Sequence, residues 1–246
     1  MKNNIIGKII KFTAETDSTN LWAKRRCDMP DGTVFVSKKQ TMGRGRRGRN
    51  WISDDGGLWL SILMKPDILP SSLSVLTLIA GMAVRDAIGE NSAIKWPNDV
   101  IMSSKKVCGI LTEGFKDSGG SRCVVCGVGI NLNQESFDDE IRNIATSLKI
   151  ELRCDTDKFA FLEKLMACFN RYYEIFLEKG FLALKEEYKK YCITLGKTVE
   201  ISDINGVYTA EAVDITDSGE LTVKLGTEYR NICSGEVSVR GLLGYI

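Results

Sequence analysis

The chain contains no histidine among its 246 residues, and this absence removes several kinds of chemistry. Serine–histidine and cysteine–histidine nucleophilic pairs, acid–base catalysis by imidazole and the usual histidine-containing zinc sites all require that side chain. Whatever reaction the chain catalyses must use lysine, arginine, carboxylates, backbone dipoles or a hard cation. We expect neither zinc nor haem.

Long apolar runs and an excess of one charge are missing as well. The most apolar window, residues 73–88, is interrupted by Arg85 and Asp86, so no membrane span is predicted. Lysine plus arginine number 33 against 32 acidic residues, a net charge of +1, which argues against a broad surface for nucleic acid. The N-terminus has no apolar signal-peptide core, and we expect a cytoplasmic protein.

Eight cysteines are scattered along the chain, mostly in apolar surroundings. This distribution predicts reduced, small core residues rather than a disulfide framework. Cys123 and Cys126 have the spacing of a redox or metal-binding pair, but no second pair accompanies them. We therefore favour a structural role, in which Cys123 and Cys126 are two separate thiols of the core.

Hydrophobic periodicity predicts an α+β first domain. Alternation predicts five strands, at 33–38, 58–64, 93–96, 107–115 and 122–131. Helical spacing predicts four helices, at 18–27, 73–88, 157–177 and 182–192. Ser18 or Thr19 is the expected cap of the first helix, and Thr156 or Asp157 that of the third.

The pattern changes near Gly196 to short strands separated by turn signals at Asn205-Gly206 and Ser218-Gly219. Four strands are predicted, at 197–202, 207–215, 221–225 and 229–239. This is a β module of about fifty residues, the size of an SH3-like barrel. The predicted domains are 1–195 and 196–246.

The segment Gly43 to Arg49 contains four arginines and three glycines, and Trp51 follows closely. Glycine lets backbone N–H groups approach a ligand, and guanidinium groups grip carboxylate or phosphate oxygens in pairs. Because the rest of the chain carries little charge bias, this loop predicts a local site for a small polyanion. Taken alone, such a loop would also suit a nucleic-acid-binding arm.

Three further segments interrupt predicted strands with glycine or polar residues, at 95–99, 105–111 and 127–133. They read Lys-Trp-Pro-Asn-Asp, Lys-Lys-Val-Cys-Gly-Ile-Leu and Gly-Val-Gly-Ile-Asn-Leu-Asn. Polar strand ends are where open sheets commonly bind ligands. Each segment has an ordinary explanation as a turn or a bulge, but their occurrence together and in this order is much more specific.

With these motifs, and with Ser18-Thr19-Asn20 before them, the chain resembles the biotin protein ligases. The resemblance implies an α+β fold, in which a mixed-sheet catalytic domain of the biotin/lipoate ligase type with flanking helices precedes a small SH3-like β-barrel. Some members carry an N-terminal DNA-binding domain. Only seventeen residues precede Ser18, so we expect the type that lacks this domain and has no nucleic-acid partner.

The resemblance also implies the reaction. Biotin and ATP give biotinyl-5′-AMP and pyrophosphate, with Mg²⁺ assisting, and the biotinyl group then passes to a lysine of a biotin carboxyl carrier domain. The expected state is a monomer or a homodimer. A lipoate-protein ligase, which shares the catalytic fold, is the alternative within the class, and a nucleic-acid-binding protein is the alternative outside it.

The family match assigns site residues by motif. Catalytic roles fall to Lys106, Arg46 and Asp99. Biotin contacts fall to Ser18, Thr19, Asn20, Gln40, Gly43, Arg44, Gly45, Arg46, Lys106, Gly109 and Gly129. ATP contacts fall to Arg46, Arg47, Arg49, Trp51, Lys95, Asn98, Lys106 and Asn131.

Several assignments compete with structural roles. The alternative role of Trp51 is that of a core residue, and the alternative role of the Ser18 hydroxyl is that of a helix N-cap. Asp99 has four candidate roles: a turn residue, a weak Mg²⁺ ligand, a partner that orients Lys106, or an activator of the incoming lysine. Met42 and Cys108 are larger than the family pattern and are expected to narrow the pocket.

Overall fold

The computed structural model describes residues 5–68, 72–203, 206–234 and 238–241. Its larger sheet is built from strands β1 (Ile10–Thr16), β2 (Val34–Gln40), β3 (Leu58–Met64), β4 (Ser92–Lys95), β5 (Asp99–Met102), β6 (Lys105–Lys116) and β7 (Arg122–Ile130). Five α-helices and one short 3₁₀-helix, Arg46–Gly48, accompany it within the described residues. The α-helices are α1 (Thr19–Arg25), α2 (Leu73–Ile88), α3 (Leu148–Leu152), α4 (Lys158–Lys179) and α5 (Leu182–Tyr191).

This sheet is mixed. Its strand order is β1-β2-β3-β7-β6-β5-β4, with β1 and β2 parallel and all other neighbours antiparallel. The five predicted strands are present, whereas β1 and β5 had no clear pattern of their own. Strand β1 is an edge strand with four of its seven residues exposed, so its apolar alternation is weak.

The two faces of the sheet are covered differently. Strand β3 is buried at every position, because Leu60 and Ile62 face the main core with α2 and α4 while Leu63 packs with Ala23 of α1 on the other side. A strand covered on both faces reads as an unbroken apolar run. The α1 side leaves part of the sheet accessible, and the candidate site lies there.

Helix α4 begins at the predicted cap, where the Asp157 carboxylate accepts hydrogen bonds from the N–H groups of Phe159 and Ala160. Its apolar stripe, including Leu165 and Phe169, lies in the main core, as the helical spacing predicts. After α5 the chain returns to the sheet, and the N–H of Ile193 donates to the carbonyl of Ile94 at 2.9 Å.

A second, five-stranded antiparallel sheet follows, in the order β11-β10-β9-β8-β12. Its strands are β8 (Thr198–Asp203), β9 (Gly206–Ile215), β10 (Leu221–Leu225), β11 (Glu228–Ile232) and β12 (Ser238–Gly241). The single strand predicted at 229–239 is wrong: β11 pairs with β10 and β12 with β8, so the chain crosses to the other edge between them. Asn205 of one predicted turn lies outside the described residues.

Trp96 joins the two sheets. Its ring is 1 % exposed, its indole N–H donates to the carbonyl of Gly219 at 3.1 Å, and its backbone N–H donates to the Thr194 hydroxyl. These contacts give Trp96 a structural role, because they fix the small module beside the segment 95–99.

All eight cysteines lie among the described residues as free thiols. Cys123 and Cys126 are buried on opposite faces of β7, Cys123 against α1 and Cys126 in the main core. Residues three apart on a strand point to opposite sides, so the pair cannot share a metal or form a disulfide. Among the described helices, none is both long and apolar enough to cross a membrane.

Candidate active site

One cavity of about 890 Å³ on the α1 side of the sheet gathers the four motif segments. Every residue assigned to biotin, ATP or catalysis lines it except Gly43. Gly43 is buried, and a Cβ there would collide with the Trp51 carbonyl and the Ser53 hydroxyl. Its contribution is therefore to the shape of the basic loop.

A chain of polar side chains lines one end of the cavity. Gln40 Oε1 accepts from the N–H of Thr19 at 2.7 Å and lies 3.1 Å from its hydroxyl. Ser61 Oγ lies 2.7 Å from the Thr19 hydroxyl and 2.6 Å from Asn20 Oδ1. Thr19, Asn20 and Ser61 are each less than 5 % exposed, so these groups form a preorganised hydrogen-bonding surface.

Ser18 belongs to the same surface. It occupies the N-cap position of α1 and is 2 % exposed, but its side chain makes no capping hydrogen bond. The competition between helix cap and ligand contact therefore does not arise, and the hydroxyl is available to the cavity.

The basic loop is closed as a small hairpin. The N–H of Gly45 donates to the Arg49 carbonyl at 2.7 Å, the N–H of Trp51 donates to the Gly43 carbonyl at 2.9 Å, and Arg44 pairs with Asn50. Arg47 adopts a left-handed conformation with φ 55°, an uncommon one for a non-glycine residue.

The arginines of the loop have different surroundings. Arg46 is half-buried, donates to Asn98 Oδ1 at 2.9 Å and also hydrogen-bonds the carbonyl of Ser234 in the small module. Burial lowers the pKa of the Arg46 guanidinium, and the neighbouring charges of Arg47 and Arg49 lower it further, whereas Asp99 opposes them. The loop thus contacts both the segment 95–99 and the small module.

Trp51 lies across a platform of two glycines. A Cβ at Gly129 would lie 2.6 Å from Trp51 Nε1, and one at Gly109 would lie 2.8 Å from its ring. The space that these glycines leave is therefore occupied in part by the indole, which also meets Trp59 edge-on with centroids 6.3 Å apart. Within the described residues its buried N–H has no hydrogen-bond partner.

Lys106 and Asp99 form an ion pair with Nζ 2.6 Å from Oδ1, and Lys106 Nζ lies 5.0 Å from the Trp51 ring centroid. Simple alternation would place Lys106 in the core with Cys108 and Ile110. The register of β5 against β6 shifts beside it, between Val100 and Ile101, and a bulge of this kind re-aims a side chain. The ammonium group consequently lies over Gly109.

Lys95, Asn98 and Asn131 also line the cavity. Lys95 is 6 % exposed, and the Asn98 amide donates to the carbonyl of Ile110 at 3.0 Å. The amide of Asn131 donates to the carbonyl of Thr146 at 2.9 Å, which helps to hold the segment 144–146 against the backbone of Lys106.

Sequence reasoning missed two residues that hydrogen-bond the lining from outside it, Ser61 and Ser234, and one segment of the lining itself. Ser61 lies inside an apolar strand with no local signal, and Ser234 is 188 residues from the arginine that it contacts. The segment after Asn131 contributes Asn133, Gln134, Phe137, Ile141 and Ile144 to the cavity wall. The expectation that Met42 and Cys108 narrow the cavity is wrong, because neither side chain lines it. Met42 is 65 % exposed to solvent, and Cys108 is buried in the core.

The described residues contain no cluster of three cysteine or acidic side chains that would hold a metal ion by itself. Mg²⁺ bound with a nucleotide commonly uses one or two carboxylates and the substrate phosphates. Asp99 is a carboxylate suited to that arrangement, although its Oδ1 is paired with Lys106.

Comparison with known proteins agrees with this architecture. Residues 9–131 match the model of the biotin/lipoate A/B protein ligase family, and residues 194–240 match the biotin protein ligase C-terminal domain. The chain belongs to the biotin/lipoate A/B protein ligase family.

Relatives and solved structures cover nearly the whole chain. It is 33 % identical to the bifunctional ligase/repressor BirA of Bacillus subtilis over 97 % of this chain and 76 % of that protein. It is 30 % identical to the biotin--[acetyl-CoA-carboxylase] ligase of Paracoccus denitrificans over 86 % of this chain and 92 % of that protein. A structure of the Aquifex aeolicus biotin protein ligase in complex with biotin and ATP superposes with a TM-score of 0.84 at 32 % identity, covering 95 % and 99 % of the two chains.

Proposed function

We infer that the chain is a biotin protein ligase, which activates biotin with ATP and transfers the biotinyl group to a protein lysine. The observation that carries this inference is one cavity that joins a polar hydrogen-bonding surface, a glycine platform and a cluster of cations. The match to a biotin protein ligase C-terminal domain and the ligases among the relatives favour biotin over lipoate. The arginines line this cavity, so a nucleic-acid-binding arm is not needed to explain them.

The first half-reaction brings a carboxylate against a polyphosphate, so repulsion between anions must be overcome. The biotin carboxylate attacks the α-phosphorus of ATP, a P–O bond forms, and pyrophosphate leaves with the electrons of the broken P–O bond. We assign Lys106 and Arg46 to stabilising the charge that develops there, work that preorganised cations perform well in a closed site. Asp99 holds the Lys106 ammonium in place.

The ends of the two substrates are assigned by chemistry. The ureido group of biotin has two N–H donors and an oxygen acceptor, which match the hydroxyls and amides of Ser18, Thr19, Asn20 and Gln40. Backbone groups from Arg44 to Arg46 and the platform of Gly109 and Gly129 would border the rest of biotin, and Gly43 would act only through the shape of the loop.

ATP contacts are assigned to Arg46, Arg47, Arg49, Trp51, Lys95, Asn98, Lys106 and Asn131. Mg²⁺ is expected to accompany ATP, and Asp99 is our candidate for the protein's contribution to its binding. The metal would supply neutralisation of phosphate charge.

In the second half-reaction the lysine amine of the carrier attacks the acyl carbon of biotinyl-AMP, an amide bond forms and AMP leaves. We propose the biotin carboxyl carrier domain of a biotin-dependent carboxylase as the acceptor, since a relative is named for acetyl-CoA carboxylase. The eight free cysteines support a reducing compartment such as the cytoplasm. We also propose the functional division into 1–195 and 196–246.

Pyrophosphate exchange into ATP, measured with biotin and with lipoate in parallel, tests this function. We expect exchange that depends on biotin and is negligible with lipoate at equal concentration. Exchange supported by lipoate at least as well as by biotin would reassign the substrate. Exchange with neither acid would overturn the adenylation chemistry itself.

A further inference from the structure

Glu113 lies beneath the polar end of the cavity, and none of the roles above uses it. It stands on β6 two residues beyond Leu111 and four beyond Gly109, both of which line the cavity, so alternation places it on the same face of the sheet. Its side chain is only 21 % exposed, which is unusual for a glutamate unless it is paired.

The two carboxylate oxygens of Glu113 have different partners. Oε2 accepts from the Asn20 amide at 2.7 Å. Oε1 lies 2.8 Å from Lys24 Nζ and 3.8 Å from an Arg44 guanidinium nitrogen. One side chain therefore contacts the polar surface through Asn20 and the basic loop through Arg44.

The contact with Asn20 sets the direction of the neighbouring hydrogen bonds. Asn20 Nδ2 donates to Glu113 and to the carbonyl of Leu111, so Asn20 Oδ1 faces Ser61. The Ser61 hydroxyl has one proton and donates it to Asn20 Oδ1. The Thr19 hydroxyl then donates towards Ser61 or Gln40 and keeps lone pairs for an incoming N–H. A Cβ at Gly127 would collide with Asn20, so the amide is enclosed from that side too.

Glu113 is negatively charged in this arrangement. Burial raises the pKa of the Glu113 carboxyl, but hydrogen bonds from Lys24 and Asn20 and the charges of Lys24 and Arg44 outweigh burial and lower that pKa. The ionised carboxylate can accept the hydrogen bond that Asn20 Nδ2 donates to Glu113 Oε2.

We propose that Glu113 is a positioning residue for biotin. Through Asn20 it orients the hydrogen bonds that receive the ureido group, and through Arg44 it draws the basic loop over the same site, so that biotin recognition and loop closure are coupled. This proposal rests on the proposed function and adds a residue to it.

The test compares Glu113→Gln with Lys24→Gln in biotin-dependent pyrophosphate exchange. Lys24→Gln removes the ion pair between Lys24 and Glu113. In the described structure Lys24 makes no hydrogen bond to Asn20 or Arg44. We expect Glu113→Gln to raise the KM for biotin about tenfold or more, as loss of a charged hydrogen bond does, with the KM for ATP changed less than threefold. Lys24→Gln should leave both within about threefold.

Coupling to the loop is tested by a double-mutant cycle with Arg44→Gln, read as the half-life of preformed enzyme-bound biotinyl-AMP. Each single variant should shorten the half-life, and the double variant should shorten it by less than the product of the two factors. If the double variant shortens the half-life by the full product of the two factors, Glu113 and Arg44 act independently and the proposed coupling is refuted.

Three results would overturn the proposal: an unchanged biotin KM in Glu113→Gln, equal rises in the KM values for biotin and ATP, or the same biotin defect in Lys24→Gln. If Glu113→Gln does not fold, Glu113→Asp carries the same test, since it keeps the charge but is too short to reach both partners. Wild-type exchange is measured alongside, so that failure of the proposed function is recognised separately by its absence.

Discussion

Lys106→Ala is the most direct perturbation of the adenylation step. The Lys106 side chain is 23 % exposed and its partner Asp99 14 % exposed, so the ammonium acts in a medium between water and a dry interior. A unit charge about 4 Å from a developing anionic oxygen contributes about 4 kcal/mol at an effective dielectric of about 20. Asp99 neutralises part of this charge, so we expect a loss of about 2.7–4 kcal/mol, or a hundred- to thousandfold in kcat.

The assay is biotin-dependent exchange of pyrophosphate into ATP, with Lys105→Ala as the matched control. Lys105 is the preceding residue on β6, but its Nζ bonds the carbonyl of Arg142 at 3.0 Å instead of facing the cavity. Lys106→Ala leaves Asp99 without its closest cation and should cost about 1 kcal/mol of stability, which thermal unfolding will detect. Exchange within threefold of the wild type in a folded Lys106→Ala protein would refute the assignment.

Three other predictions follow from the loop, the platform and the thiols. Arg44→Gly should shorten the half-life of enzyme-bound biotinyl-AMP after gel filtration about tenfold; an unchanged half-life would mean that Arg44 does not clamp the intermediate. Gly129→Ala places a methyl group 2.6 Å from Trp51 Nε1, so it should displace the indole, change tryptophan fluorescence and lower pyrophosphate exchange. The control is Gly119→Ala, whose Cβ would contact only Asp117 at 3.4 Å and which should have none of these effects. Burial raises the pKa of Cys126 to about 12, so its thiolate population, and its alkylation, should stay negligible at pH 8 and rise only as pH approaches that value. Exposed Cys154 and Cys233 should react at pH 8, and mass spectrometry of the labelled peptides checks both statements.

Local patterns were sufficient to predict the elements with strong periodicity. The α4 stripe and the Asp157 cap depend on neighbours three and four residues apart, and the structure contains both. The sequence does not predict strand β1, because none of the seven residues of this edge strand is fully buried and its apolar alternation is weak. The two edge strands near the C-terminus were merged because a chain that crosses a sheet keeps its apolar character while its partners change.

The candidate site was predictable where its chemistry is written in adjacent residues. The arginines and glycines of the loop are contiguous, and the cavity gathers them. Ser61 and Glu113 belong to the same hydrogen-bonded chain, yet each stands alone in a strand. They meet at Asn20 only because β3 and β6 both pair with β7 and α1 lies against the sheet. The direction of Lys106 depends on a register shift, a feature of two strands together that one strand cannot encode locally.

The contacts of individual arginines explain why the loop concentrates so much charge. Arg44 faces Glu113 beneath the polar surface, whereas Arg46 bonds Asn98 and the Ser234 carbonyl of the small module. Two guanidinium groups two residues apart thus contact different partners around one cavity, one on β6 and the other in the segment 95–99 and the small module. A loop that only attracted anions would need no such division. Under the proposed function the loop closes over both biotin and ATP, and separate arginines would hold the two substrates so that the carboxylate and the α-phosphate meet.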